Sequence, residues 1–349
     1  MPNYFCLTYL VVVAGHTTFE DVFAGLKILS GTERNAETSA CLSCGDVMDL
    51  HGGFMEAKPY SAALPVANRT LAPVGDLPLD FDGRKEFKEC TSLIGSVPDQ
   101  SNCGSCAAVS VAAAFSDRLC IKTKGKVKRL LSSGYLIACC DPDTGCTRGS
   151  GCLGGQTSEM WTFVQEYGFP TGGGYTPKES MSEASGCWPY NFPKCNHNVG
   201  LEPHRLMDYP PCPKTPAEPP ACSSTCPNDK YKNELDDDLH FIDDKGAVRI
   251  PDVETMKLEL SQFGSVTANM EVYEDFRYYK SGVYTPTQGK PIGPHSVKLI
   301  GWGKRGKDEY WLAVNSWNEG WGESGLFRIA TGKCKIEEDV VYGDPEVDT

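Results

Sequence analysis

The chain has 349 residues and a formal net charge of -13, long enough for two domains or for one large domain with an additional region. Its acidic balance argues against nucleic-acid or general phosphate binding, which needs a basic face to displace counterions. Seventeen cysteines, fourteen of them from Cys90 to Cys334, point to disulfides formed in a secretory or vesicular lumen. No metal is expected, because the cysteines are scattered and the six His dispersed rather than paired at ligand spacing.

Residues 4–14 have the length of a signal-peptide core, yet no Lys or Arg precedes them and no clear small-residue cleavage site follows. Either the signal is atypical or the N-terminus is truncated. No other apolar stretch approaches the ~20 residues of a membrane span, so the mature protein is expected to be soluble. The segment up to about residue 75 ends in Ala72-Pro73-Val74-Gly75, holds the glycosylation sequon Asn68-Arg69-Thr70, and reads as removable.

From Leu77 the pattern is first helical. Residues 105–120 are Ala-rich with helical spacing, 157–167 follow a Thr/Ser cap, and 252–263 end at Gly264. Residues 265–273, 295–302, 310–316 and 325–329 then read as strands, rich in β-branched and aromatic residues between Gly-containing turns. A helical half followed by a strand-rich half implies an α+β protein with two lobes. Between them, 186–227 holds five cysteines and many prolines and reads as an irregular, disulfide-stapled insertion.

Gln100-Ser101-Asn102-Cys103-Gly104-Ser105-Cys106 runs straight into the Ala-rich helix. A thiol at a helix N-terminus faces unpaired N–H groups and the positive end of the macrodipole, which favour thiolate. Downstream, Gly293-Pro294-His295-Ser296-Val297 opens one strand, and Asn315-Ser316-Trp317 ends another. Taken singly, Cys106 reads as one more half-cystine and His295 as a structural histidine.

Together these motifs resemble the papain family of cysteine peptidases, in which Gln precedes Cys-Gly-Ser-Cys and His and Asn follow in that order. The resemblance implies a papain-like two-lobed fold, with a helical left lobe, a β-barrel-like right lobe and an occluding-loop insertion. It implies Cys106 as nucleophile, His295 as its base in a thiolate-imidazolium pair, Asn315 orienting the ring, and Trp317 shielding that contact. Gln100 and the Cys106 backbone N–H would form the oxyanion hole. Where the family has Trp after the nucleophile, this chain has Ala107.

His295 lies 189 residues after Cys106, beyond the ~130–150 usual in the family, so something is inserted. Gly186-Cys187-Trp188-Pro189-Tyr190 with Cys195, Cys212, Cys222 and Cys226 resembles the occluding-loop region of cathepsin B, here about 187–226. The likeness covers 77–343, and implies a signal and propeptide region at 1–76 and a mature peptidase domain at 77–349. It also implies the bridges Cys90 to Cys120, Cys103 to Cys152, Cys139 to Cys222, Cys140 to Cys146, Cys187 to Cys226 and Cys195 to Cys212, a connectivity that spacing alone leaves open.

The same likeness makes Gly154 and Gly155 the segment that pairs with extended substrate. The occluding loop's first carboxylate-binding histidine is kept as His197, pinned by Asp99, while the second has become Asn198; His204 and Arg205 lie nearby. Dipeptidyl carboxypeptidase activity is therefore expected to be weakened, and endopeptidase activity more secure. Asp339 takes the place of the acid that closes the S2 pocket and admits arginine at P2. Thr17-Thr18-Phe19 and residues 25–32 loosely match a short propeptide that inhibits by lying backwards through the cleft, and Cys41 with Cys44 reads as a local disulfide.

The expected function is thus a lysosomal-type cysteine peptidase, in a lysosomal or endosomal compartment or secreted, needing no cofactor. Expected partners are peptide and protein substrates, its own propeptide and cystatin-like inhibitors, with no nucleic acid. The alternatives are a catalytically silent binding relative, suggested by Ala107 and the altered loop, and a peptide ligase using the same thioester.

Overall fold

The computed structural model describes residues 63–68, 77–146, 151–197 and 209–347. Expectations for the signal and propeptide segments, for Cys41 and Cys44, and for Asn198, His204 and Arg205 lie outside the described residues.

In chain order the elements are β1 (Phe81–Asp82), the short helices α1 (Gly83–Glu86) and α2 (Thr91–Ile94), α3 (Cys106–Lys122), α4 (Ser133–Cys139) and α5 (Thr157–Tyr167). After the disulfide-rich insertion come β2 (Val248–Arg249), α6 (Val253–Phe263), β3 (Val266–Tyr273) and β4 (Val283–Tyr284). The chain closes with β5 (Pro291–Arg305), β6 (Asp308–Val314), β7 (Leu326–Ala330) and β8 (Val340–Tyr342).

Helix α3 is buried on almost every face, only Ala113 and its last two residues being partly exposed. A helix surrounded in this way needs small side chains, which is what its Ala-rich sequence supplies. Around it packs one core that includes Phe115, Leu136, Trp161, Phe169 and Trp188. Helix α6 starts where Asp252 Oδ1 accepts the Thr255 N–H at 2.8 Å, and stops at Gly264, whose φ is +102°.

The second core lies within the sheet lobe, where Phe276 packs edge-on against Trp317 and Phe327 beside Trp321. The strands run in the order β2-β8-β3-β5-β6-β7-β4, with β1 added on β5. The sheet is therefore open, where a barrel-like lobe is expected from the resemblance. Its two end strands are only two residues long and do not pair with each other.

The lobes also exchange chain ends, which the simple order of helices before strands does not anticipate. β1 joins the sheet, with Phe81 stacked on Trp302 at 4.7 Å between ring centroids. At the other end, Val341 enters the helical core and Asp344 reaches Arg118 of α3.

Six disulfides are present: Cys90–Cys120, Cys103–Cys152, Cys139–Cys222, Cys140–Cys146, Cys187–Cys226 and Cys195–Cys212. Three of them hold the insertion, which docks beside the loop preceding Cys106 through Asn102, whose side chain donates to Thr215 O and whose carbonyl accepts Ala217 N–H at 2.9 Å. No helix among the described residues is long and apolar enough to cross a membrane.

Buried charges tie α3 to the sheet lobe. Asp117 pairs with Lys298 of β5 at 2.8 Å, and Arg118 pairs with Glu259 of α6 at 2.7 Å and with Asp344 at 2.6 Å. Removing one member of a fully buried pair strands the other charge. Lys298→Ala is expected to cost about 3–5 kcal/mol, and an apolar double replacement, Asp117→Leu with Lys298→Met, to recover most of it. Denaturant midpoints of the full chain check this, and equal losses in the single and double variants contradict it.

Candidate active site

The structure brings Cys106 against Ser296, the residue after His295, and links Gln100 and His295 through Ser316 and Asn315. Cys106 is the first residue of α3, and both it and Cys334 carry thiols outside the six bridges. His295 lies on β5, opposite Met270 of β3. Its Nε2–H donates to Asn315 Oδ1 at 2.8 Å, an oxygen that also accepts the Ser316 N–H at 2.8 Å. Two donors converging on one atom identify it as the amide oxygen and place the ring proton on Nε2. Nδ1 is left with its lone pair and has no hydrogen-bond partner among the described residues.

Trp317 lies over this contact, its ring 5.1 Å from that of His295. On another side it stacks with His197 at 6.3 Å. Gln100 is held rigidly: its Nε2 donates to Cys103 O at 2.8 Å, and its Oε1 accepts from Ser316 Oγ at 2.5 Å. An amide nitrogen carries two N–H bonds, so one remains for an oxyanion. Gln100 N–H also donates to Ser316 O at 2.8 Å, and Tyr190 Oη to Gln100 O at 2.8 Å, so the insertion motif helps fix this residue.

Burial decides the charge state. Desolvation pushes the Cys106 thiol up to about 11, although the Ser296 and Ala107 backbone N–H groups and the Ser296 hydroxyl pull the other way. The same burial drives the His295 imidazole down to about 4, assisted by repulsion from His197 and opposed by its Asn315 hydrogen bond. The helix N-terminus alone favours thiolate, but with Cys106 fully inaccessible and His295 at 1 % exposure the loss of hydration outweighs it. In this conformation burial disfavours both ions of the thiolate-imidazolium pair that the family resemblance implies.

Gly154 and Gly155 are both buried, and Gly154 has φ of +111°. A Cβ on Gly155 would meet Met160 Cε at 2.5 Å and lie 4.0 Å from Ala107 Cβ, so Met160 closes the space below the segment beside Ala107. Asp99 accepts from His197 at 2.8 Å, from Asn318 Nδ2 at 2.8 Å and from Cys195 N–H at 3.1 Å. Burial opposes its ionisation, but these donors, with the His197 hydrogen bond foremost, hold its carboxyl below the usual range. His197 also lies beside Cys195 and Cys212, whose sulfurs are joined to each other and so offer no thiolate to a metal.

Asp339 is 7 % exposed, with Oδ2 accepting from Asn269 Nδ2 at 2.8 Å and Oδ1 without a hydrogen-bond partner among the described residues. It is not the solvated acid of a charged run. Asn68 is exposed. Ser296, Asn269, Asn318 and Tyr190 belong to the site's surroundings without having been singled out for it by sequence. For Asn269 and Ser296 the available signal was polar residues at alternate positions of otherwise buried strands, whereas Asn318 and Tyr190 lie outside the strands.

Residues 77–344 match the family model described as papain family cysteine protease. The chain belongs to that family. Within it, a cathepsin B-like cysteine proteinase of Schistosoma japonicum is 39% identical over 270 residues, 77% of this chain and 73% of the relative. Cathepsin B-like cysteine proteinase 4 of Caenorhabditis elegans is 40% identical over 273 residues, 78% and 76% of the two chains. Procathepsin B S9 of Trypanosoma congolense is a structural neighbour with a TM-score of 0.68 and 28% identity, covering 95% of this chain and 99% of that one. The chain is thus a cathepsin B-like member of the papain family.

The burial of the pair has a measurable consequence. Burial pushes the Cys106 thiol up and the His295 imidazole down, away from the ionised forms of both. Alkylation of Cys106 by iodoacetamide in the intact chain should therefore be slow from pH 5 to 8 and climb about tenfold per unit above that. A fast plateau between pH 5 and 7 would mean that the ion pair already exists.

Proposed function

We propose that the chain is a cysteine endopeptidase that works through a Cys106 thioester, with a reduced dipeptidyl carboxypeptidase activity. The observation that carries this is the His295 tautomer: Nε2–H is committed to Asn315, so the basic Nδ1 is the nitrogen available to a thiol. Once the cleft admits water and substrate, Cys106 passes its proton to Nδ1 and the thiolate adds to the peptide carbonyl carbon. The oxyanion is taken up by Gln100 Nε2–H and the Cys106 N–H at the start of α3. His295 then protonates the amine as the C–N bond breaks. Water, deprotonated by the same imidazole, hydrolyses the thioester and restores the thiol.

Asp99 and His197 support a loop positioned beside Trp317, with one of two carboxylate-binding groups in place. The buried, half-satisfied Asp339 supports an S2 pocket that accepts arginine beside bulky apolar residues. Residues 1–76 are proposed to inhibit the enzyme until released in an acidic vesicle or after secretion, and cystatin-like proteins to inhibit it afterwards. One observation favours a silent binding relative instead, namely the burial of Cys106 and His295, which disfavours their ionisation.

Cys106→Ala should lower peptide hydrolysis at pH 5 by ~10³-fold or more without loss of fold, since no bridge is broken. Activity near that of the parent enzyme would remove Cys106 from the role. A parent protein that stays inactive and unlabelled by a thiol-directed inhibitor, after residues 1–76 are removed, would support the silent relative.

A separate comparison addresses the loop. Asn198→His should raise the release of C-terminal dipeptides relative to internal cleavage, severalfold for a newly charge-assisted contact to the substrate carboxylate. An unchanged ratio would place carboxylate binding elsewhere.

A further inference from the structure

Strands β3 and β5 pair so that Asn269 stands directly opposite Ser296, the residue after His295. Asn269 is 8 % exposed, and its side-chain amide is the centre of a buried cluster. Its Nδ2 donates to Asp339 Oδ2 at 2.8 Å and to Thr157 Oγ1 at 2.9 Å, and its Oδ1 accepts from Ser296 Oγ at 2.5 Å. Its backbone N–H donates to Asp339 O at 3.0 Å. All three polar positions of the side chain are thus engaged, and by partners from α5, from β5 and from the segment entering β8.

We propose that Asn269 is a specificity-determining residue: its amide competes with a P2 cation for the Asp339 carboxylate and thereby sets how strongly arginine is preferred over an apolar P2 side chain. The proposal rests on the peptidase reading with Asp339 in the S2 pocket. One carboxylate oxygen is already satisfied by a neutral donor, and the other, Oδ1, is buried without one. A guanidinium, with its planar fork of donors, gains most from a carboxylate whose two oxygens are both open to it. With Oδ2 shared with Asn269, a P2 arginine meets one wholly free oxygen and one that already accepts a donor, and an apolar P2 group leaves a carboxylate that is already half satisfied. Both effects flatten the discrimination between the two.

Removing the amide should sharpen it. Asn269→Ala leaves Asp339 with no side-chain donor, so the ratio of kcat/KM for Arg-Arg over Phe-Arg fluorogenic dipeptides is expected to rise about five- to tenfold. Because Asn269 also holds Thr157 and Ser296, Asn269→Ser serves as a milder second variant that keeps a hydroxyl in the strand, with a smaller rise expected. Competent enzyme is counted in each case by titration with an irreversible thiol-directed inhibitor. A structural role alone would change both substrates by the same factor, and a constant or falling ratio in both variants overturns the proposal. Asp339→Ala is measured alongside. If it collapses the ratio while the Asn269 variants do not move it, the Asn269 inference fails and the S2 reading stands; if it has no effect, the S2 reading fails and the inference with it.

Discussion

The Asp117–Lys298 pair joins the helix that begins with Cys106 to the strand that carries His295 three residues earlier. The site has its geometry only if these two elements keep one register, and two buried charges at 2.8 Å permit no sliding. Such a pair is weak as a source of net stability, because both ions lose their hydration. Its surroundings soften that loss: Ser265 Oγ donates to Asp117 at 2.6 Å and Lys298 Nζ to Leu93 O at 3.3 Å. Burial still raises the Asp117 carboxyl above its usual value, with Lys298 opposing the shift. Arg118, one residue on, repeats the arrangement toward Glu259 and Asp344, and its guanidinium lies 4.3 Å from the Tyr342 ring.

The pleat of β3 and β5 explains why these polar contacts fall where they do. Successive strand residues face opposite sides. Ala268, Met270, Val297 and Leu299 enter the core of the sheet lobe, while Thr267, Asn269, Ser296 and Lys298 face the helices. The second face is a polar seam between lobes, where Trp161 Nε1–H donates to Thr267 Oγ1 at 2.9 Å and Asn269 reaches Thr157. An apolar seam would bury more area but would leave no donors or acceptors beside the nucleophile. The seam therefore serves both as the joint between the lobes and as the wall of the site.

The same alternation marks the limit of what the sequence discloses. Cys106, His295 and Asn315 are legible because each sits in a local motif, and the long helices and strands because their periodicity survives burial. Asn269, Ser296 and Lys298 look like the solvent face of amphipathic strands, and only tertiary packing converts that face into an interlobe seam. β1 escapes notice because two residues carry no period, and the exchange of chain ends at Asp344 because it is a property of topology alone. The open sheet follows from the shortness of β2 and β4, which local propensity does not register.

The charge state of Cys106 is illegible in the sequence for a different reason: a sequence shows which dipoles point at a group but not how dry the group is. A helix N-terminus contributes on the order of 1 kcal/mol to an adjacent anion. Here desolvation raises the Cys106 thiol and lowers the His295 imidazole, so that both ions of the pair are disfavoured. The dipole is too small to reverse that. Hydration acts on both groups at once, lowering the thiol and raising the imidazole, so opening the cleft narrows the gap from either end. The hydrogen bonds already aimed at Sγ from the Ser296 and Ala107 backbone then count in full, because they no longer compete with a loss of hydration that exceeds them.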